Sequence, residues 1–264
     1  MRRHVPLTAL PLLLVGCFPP PAPPATVPIR EVRVTESGAA EHASCLFVFL
    51  PGYGARPEQL VDRGFIDQLD ENVDADATVV DAHLGYYLEK NIIHRLEEDV
   101  IEPAKAAGYE KVWLVAISMG ALGAIGYAAT HAEQVEGVVL LAPWMGMGFG
   151  FSRSAIEREI VNSGGLLAWR AGLEDQSELD GAAPMRTVET QEEFFHLLWA
   201  WAARAMRPDG SQVPVYVGYG RQDQWIRSQV LLADAYPRRQ RLVAGGVHQW
   251  DVFYDLWRGF LWQG

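Results

Sequence analysis

Lys111-Val112-Trp113-Leu114-Val115-Ala116-Ile117-Ser118-Met119-Gly120-Ala121 is the stretch that decides the fold. Its first seven residues form an almost unbroken apolar run, rich in β-branched and aromatic side chains, the pattern of a strand buried on both faces. Ser118 ends that run, and a helical pattern from Met119 to Thr130 follows it. Ala116 and Gly120 are small enough to let the chain turn sharply, which lifts Ser118 above the end of the strand in a strained conformation. The plainer alternative is a serine that only caps the helix.

Working outward, similar short apolar runs occur at Ser44 to Leu50, Ala77 to Asp81, Val135 to Ala142, Val213 to Tyr219 and Gln240 to Ala244. Between them lie segments of helical period: Glu58 to Leu69, Leu88 to Ala107, Ile226 to Tyr236 and Trp250 to Trp262. Regular strand–helix alternation predicts an α/β fold with a mostly parallel central sheet flanked by helices. Residues 145–212 break the rhythm, with only two helical patterns near Ser152 to Asn162 and Glu189 to Met206, and are expected to form an inserted helical cap.

A serine hydroxyl is a weak nucleophile until a base takes its proton, and that base needs a carboxylate to orient it. Asp223 follows the Val213 to Tyr219 strand in Gly220-Arg221-Gln222-Asp223, and His248 follows the Gln240 to Ala244 strand in Gly245-Gly246-Val247-His248. Ser118, Asp223 and His248 thus fall at the C-terminal ends of three strands, the edge where open α/β sheets bind ligands. His94, His131 and His196 lie in or at the end of helical patterns and His42 precedes a strand, whereas His83 ends a strand and is a candidate pocket residue.

From about residue 29 to its end the chain resembles the α/β-hydrolase superfamily. Ala116-Ile117-Ser118-Met119-Gly120 resembles the G-x-S-x-G nucleophile elbow with Ala116 for the first glycine, and the order Ser118, Asp223, His248 is the family's. Pro51-Gly52-Tyr53-Gly54 resembles the family's H-G-x-G loop with Pro51 for histidine. The resemblance implies attack of Ser118 on an acyl carbonyl, an acyl-enzyme, and an oxyanion hole made by the backbone N–H groups of Met119 and Tyr53. It implies a carboxylic-ester hydrolase acting on a small acyl ester. A non-catalytic binding protein on the same scaffold, or an acyltransferase or cofactor-free haloperoxidase with the same triad, are the alternatives. Trp144, Phe195 and Trp199 are the expected substrate contacts, from the aromatic density around the cap.

The 264 residues carry 22 Lys and Arg against 33 Asp and Glu, and a net charge of −11 without a basic tract excludes a phosphate-backbone binder. No G-x-x-x-x-G-K-S/T, H-E-x-x-H or C-x-x-C occurs, so no cofactor or metal is expected, and Asp81 with His83 supplies only two candidate ligands.

The N-terminus differs in kind. Arg2 and Arg3 precede a short apolar stretch, Val5 to Val15, too short to span a bilayer, as in an export signal. Leu14-Val15-Gly16-Cys17 resembles the lipobox of bacterial lipoproteins, which implies cleavage after residue 16 and acylation of Cys17; a plain secretory signal is the alternative. Phe18 stands where an aspartate marks retention at the inner membrane, so the resemblance implies an exported protein anchored at the outer membrane. Cleavage removes Arg2 and Arg3 and makes the chain more acidic, so the attachment must be hydrophobic. Residues 17–28 contain a proline-rich run expected to be a semi-rigid spacer, and residues 29–264 the catalytic domain. Cys45 is then a buried free thiol, with a Cys17–Cys45 disulfide as the alternative.

Overall fold

The computed structural model describes residues 22–34, 43–146, 153–172, 189–204 and 213–262. Among these, seven strands form one sheet in the order β1-β3-β2-β4-β5-β6-β7. They are β1 (Glu31–Val34), β2 (Cys45–Leu50), β3 (Asp76–Val80), β4 (Lys111–Ile117), β5 (Gly137–Leu141), β6 (Val215–Gly220) and β7 (Arg241–Ala244). Only β1 is antiparallel to its neighbour; every other pair is parallel. β1 was not expected from the sequence: Glu31-Val32-Arg33-Val34 is four residues long and half charged, as an edge strand tolerates.

The helices are α1 (Pro57–Asp62), α2 (Asp67–Asn72), α3 (Leu84–Leu88), α4 (Ile92–Leu96), α5 (Glu102–Ala107), α6 (Gly120–Thr130), α7 (Ala155–Asn162), α8 (Leu166–Ala171), α9 (Gln191–Arg204), α10 (Ile226–Ala233) and α11 (Trp250–Leu261). Two segments expected as continuous helices are broken. Residues 58–69 are interrupted at Gly64, which has φ 75°. Residues 88–107 are interrupted at Lys90, which has φ 57°, and again by a π-turn over Glu97–Ile101. Pro103 has no N–H to return to Asp99, so the regular ladder cannot run through that turn.

Period-two alternation divides the core between the two faces of the sheet. Leu46, Val48 and Leu50 of β2 join Val112, Leu114 and Ala116 of β4 on the face covered by α4, α5 and α6. Cys45, Phe47 and Phe49 join Val115 and Ile117 on the face covered by α1, α2 and α11, where the fully buried Trp257 indole donates to the Phe65 carbonyl at 2.8 Å. Cys45 is a free, buried thiol, pushed by burial from 9.0 up to about 11.

The register pairs Leu50 with Ala116, Ile117 with Leu141 and Gly220 with Ala244, which brings the C-terminal ends of these strands to one edge. The described residues between β5 and β6 carry α7, α8 and α9. α8 went unread because it is a six-residue helix behind Gly164 and Gly165. The buried Glu157 of α7 accepts from the Ser154 N–H at 2.7 Å, from the Ser154 hydroxyl at 3.0 Å and from the Ser228 hydroxyl, tying α7 to α10.

Candidate active site

Ser118 leaves β4 with φ 51°, in the left-handed region that an L-residue enters only when its surroundings hold it there. Its N–H donates to the Leu141 carbonyl at 3.0 Å, and its own carbonyl accepts from Trp144 at 3.0 Å and from Ala121 at 3.1 Å. Gly120 allows the turn to close: a Cβ there would lie 2.3 Å from the Leu50 carbonyl oxygen and 2.9 Å from that of Pro51. The start of α6 therefore packs directly against the loop that follows β2.

Above this turn the Ser118 hydroxyl lies 2.8 Å from Nε2 of His248, and Nδ1 of His248 lies 2.7 Å from Oδ2 of Asp223. The carboxylate can only accept at this distance, so Nδ1 carries the proton and Nε2 is free to accept from the serine. The Asp223 side chain is fully buried, and its other oxygen accepts the Trp225 N–H at 2.8 Å. The two loops that present the acid and the imidazole are stitched together: Arg221 donates to the Ala244 carbonyl at 3.0 Å and Gln222 to that of Gly246 at 2.9 Å. The imidazole is held by two rings, Trp225 at 4.4 Å with perpendicular planes and Phe253 at 4.8 Å. Oriented by one carboxylate and caged by two aromatics, it has little rotational freedom.

A cavity of about 610 Å³ opens on Ser118. Tyr53, Leu84, Tyr87, Leu88, Met119, Leu122, Trp144, Phe194 and Trp225 make its wall, and Lys90, Glu189, Thr190 and Gln191 add a polar stretch. Burial pushes the Tyr87 phenol far up, so this side chain meets the cavity as a neutral group. The backbone N–H groups of Met119 and Tyr53 have no acceptor among the described residues.

Of the expected substrate contacts, Trp144 lines the cavity and the other two do not. Trp199 is wholly buried in α9, a helix enclosed by α6, α7 and α8, with the Trp201 ring resting on Gly126 of α6. Phe195 is also buried, edge-on to Trp144 at 6.2 Å, and its neighbour Phe194 reaches the cavity instead. His83 caps α3, its Nδ1 accepting from the Gly85 N–H at 3.1 Å, and is not part of the wall. Asp81 accepts from Arg30 at 3.1 Å. Cys17 lies outside the described residues. Sequence reasoning missed Trp225, although its place two residues after Asp223, in the same loop, was a signal that it borders the site.

The family model of the "Alpha/beta hydrolase family" matches residues 14–255. No curated protein matches the sequence. Among solved structures, Est1E from Butyrivibrio proteoclasticus with ferulic acid bound is similar at a TM-score of 0.56 and 16% identity, covering 88% of this chain and 92% of its own. A ferulic acid esterase is similar at a TM-score of 0.54 and 13% identity, covering 89% and 96%. A Paleococcus ferrophilus monoacylglycerol lipase is similar at a TM-score of 0.54 and 15% identity, covering 88% and 98%. With a family model spanning most of its length and the strand order and elbow to match, the chain belongs to the alpha/beta hydrolase family.

Proposed function

We propose that this protein is a serine hydrolase that cleaves carboxylic esters. The observation that carries this is the unbroken relay from the Ser118 hydroxyl through His248 to the buried Asp223 carboxylate. Ser118 Oγ attacks the acyl carbonyl carbon as His248 Nε2 takes its proton. The oxyanion accepts from the N–H groups of Met119 and Tyr53, at the start of α6 where the helix dipole favours negative charge. Collapse expels the alcohol, which receives its proton from His248. Water, deprotonated by the same imidazole, then releases the acid and restores Ser118. The apolar wall suits an acyl or aryl group, and the family's similar structures named esterase and lipase support an ester over an amide.

A fluorophosphonate probe is expected to label the wild type and not Ser118→Ala, with turnover in a panel of esters, thioesters and amides highest on esters. Labelling that persists in Ser118→Ala overturns the nucleophile. Equal rates on acetyl and long acyl esters overturn the pocket. Labelling without hydrolysis favours an acyltransferase or a binding role.

We also propose export and acylation at Cys17, supported by the resemblance of Leu14-Val15-Gly16-Cys17 to a lipobox. No helix among the described residues is long and apolar enough to cross a membrane. Mass spectrometry of the mature N-terminus is expected to find an acylated Cys17, and Cys17→Ser to move the protein out of the outer-membrane fraction. An unmodified Cys17 overturns the anchor.

A further inference from the structure

The proline-rich segment after Cys17 is not a free spacer once it reaches the domain: it is strapped to α3, the helix whose Leu84, Tyr87 and Leu88 wall the cavity. The Ala25 N–H donates to Glu89 at 2.7 Å, the Thr26 N–H donates to the Tyr86 hydroxyl at 3.2 Å, and that hydroxyl donates to the Thr26 carbonyl at 3.1 Å. Further along, the Ile29 N–H donates to Asp99 at 2.8 Å. Pro23 crosses α3 so closely that a Cβ on Gly85 would sit 2.0 Å from the Pro23 carbonyl oxygen, so this glycine is what lets the strap lie down. Ala25 packs partly buried against the core.

This fixes where a lipid on Cys17 can be. Five peptide steps separate Cys17 from Ala22, and an extended chain gains at most about 3.6 Å per step, so the two lie within about 18 Å of each other. Ala22 in turn adjoins Pro23 on the first turn of α3, beside the cavity. At the cavity's opening Tyr53 and Leu88 are each 64% exposed, large apolar side chains facing solvent next to an apolar interior. The charge of the chain is wrong for an electrostatic grip on an anionic bilayer, so contact must come from apolar side chains and the anchor.

We infer that the mouth of the cavity is a membrane-facing surface: the strap on α3 turns Tyr53 and Leu88 toward the bilayer that holds Cys17, and the substrate is an acyl ester drawn from the lipid phase. This rests on the acylated Cys17 and on Ser118 as nucleophile. Trp262, 73% exposed at the end of α11, marks the other edge of the sheet, because α11 starts beside His248 and runs back along the strands.

The test uses the full-length acylated protein in vesicles of phosphatidylethanolamine and phosphatidylglycerol. A bimane label is placed at Leu88→Cys or at Trp262→Cys, each in a Cys45→Ala background, and doxyl-labelled lipid serves as quencher. The label at 88 is expected to lose most of its fluorescence and the label at 262 to keep it. A fluorogenic long-chain ester partitioned into the same vesicles is expected to be cleaved faster by the acylated wild type than by the Cys17→Ser protein, with equal rates for both on a water-soluble ester. Quenching at 262 but not at 88, or at neither, overturns the orientation in a protein whose acylation mass spectrometry has verified. A chain without the acyl mass overturns the anchor and this inference with it. Fluorophosphonate labelling reports separately on Ser118.

Discussion

Asp223→Asn isolates what the buried carboxylate does. Oδ1 of the wild-type side chain accepts the Trp225 N–H at 2.8 Å and Oδ2 faces His248 Nδ1 at 2.7 Å. Asparagine keeps the first contact through its carbonyl and turns its amide on the imidazole. The amide donates, so Nδ1 must accept and the ring proton moves to Nε2, which then points an N–H at the Ser118 hydroxyl and cannot take its proton. A tautomer error of this kind costs about 10⁴ in kcat, or roughly 5.4 kcal/mol at 1.36 kcal/mol per decade. Folding should be little changed, because no buried donor loses its partner; Asp223→Ala instead orphans the Trp225 N–H at about 1–3 kcal/mol. The assay is kcat and KM on a soluble chromogenic ester beside a thermal melt. Ser118→Ala combined with Asp223→Asn should be no slower than Ser118→Ala alone, since members of one relay are not additive. If Asp223→Asn retains a rate within about tenfold of wild type with its melt unchanged, the relay does not carry the reaction.

Gly120→Ala should force the backbone after β2 to move, given a Cβ 2.3 Å from the Leu50 oxygen. Displacing the Tyr53 N–H should slow ester cleavage by about 10² to 10³ and lower the melting temperature; an unchanged rate would remove Tyr53 from the oxyanion hole. Trp225→Leu should free the imidazole and lower kcat by up to about 10², with Trp225→Phe recovering most of it; a change confined to KM would make Trp225 a wall residue only. Burial holds the Cys45 thiol at about 11 against its usual 9.0, and Tyr109 at about 12 against 10.0. The folded state keeps these protons longer than the unfolded chain does, so their stabilisation is complete below pH 9.0 and is lost as pH rises toward 11 and 12. A urea midpoint that stays flat across that range would contradict the burial of these groups.

The parts of the site that could be read from the sequence are those bound to strand ends. A buried parallel strand announces itself as an apolar run, and the register of the sheet then brings whatever follows β4, β6 and β7 to one edge. That is why Ser118, Asp223 and His248 meet although up to 130 residues separate them. β1 escaped because edge strands need no apolar run. The two broken helices escaped because a single left-handed residue, Gly64 in one and Lys90 in the other, leaves the apolar period undisturbed on either side.

The helices between β5 and β6 resisted for a different reason. A helix shows which face it buries only when its other face is polar, and from Phe195 to Ala203 α9 is buried almost all round. Nothing in such a run says which aromatic faces the serine. One helical step turns a side chain by about 100°, enough to put Phe194 in the cavity wall and Phe195 behind Trp144. Trp199, a turn beyond Phe195, is wholly buried and takes no part in the wall. Catalytic chemistry is specified by backbone topology, which sequence periodicity reports, whereas the cavity wall is specified by the azimuth of single side chains on an enclosed helix, which it does not. The strap of residues 22–29 is the same lesson in reverse. Its prolines read as a spacer, and only the approach of Pro23 to Gly85 makes it a positioning element.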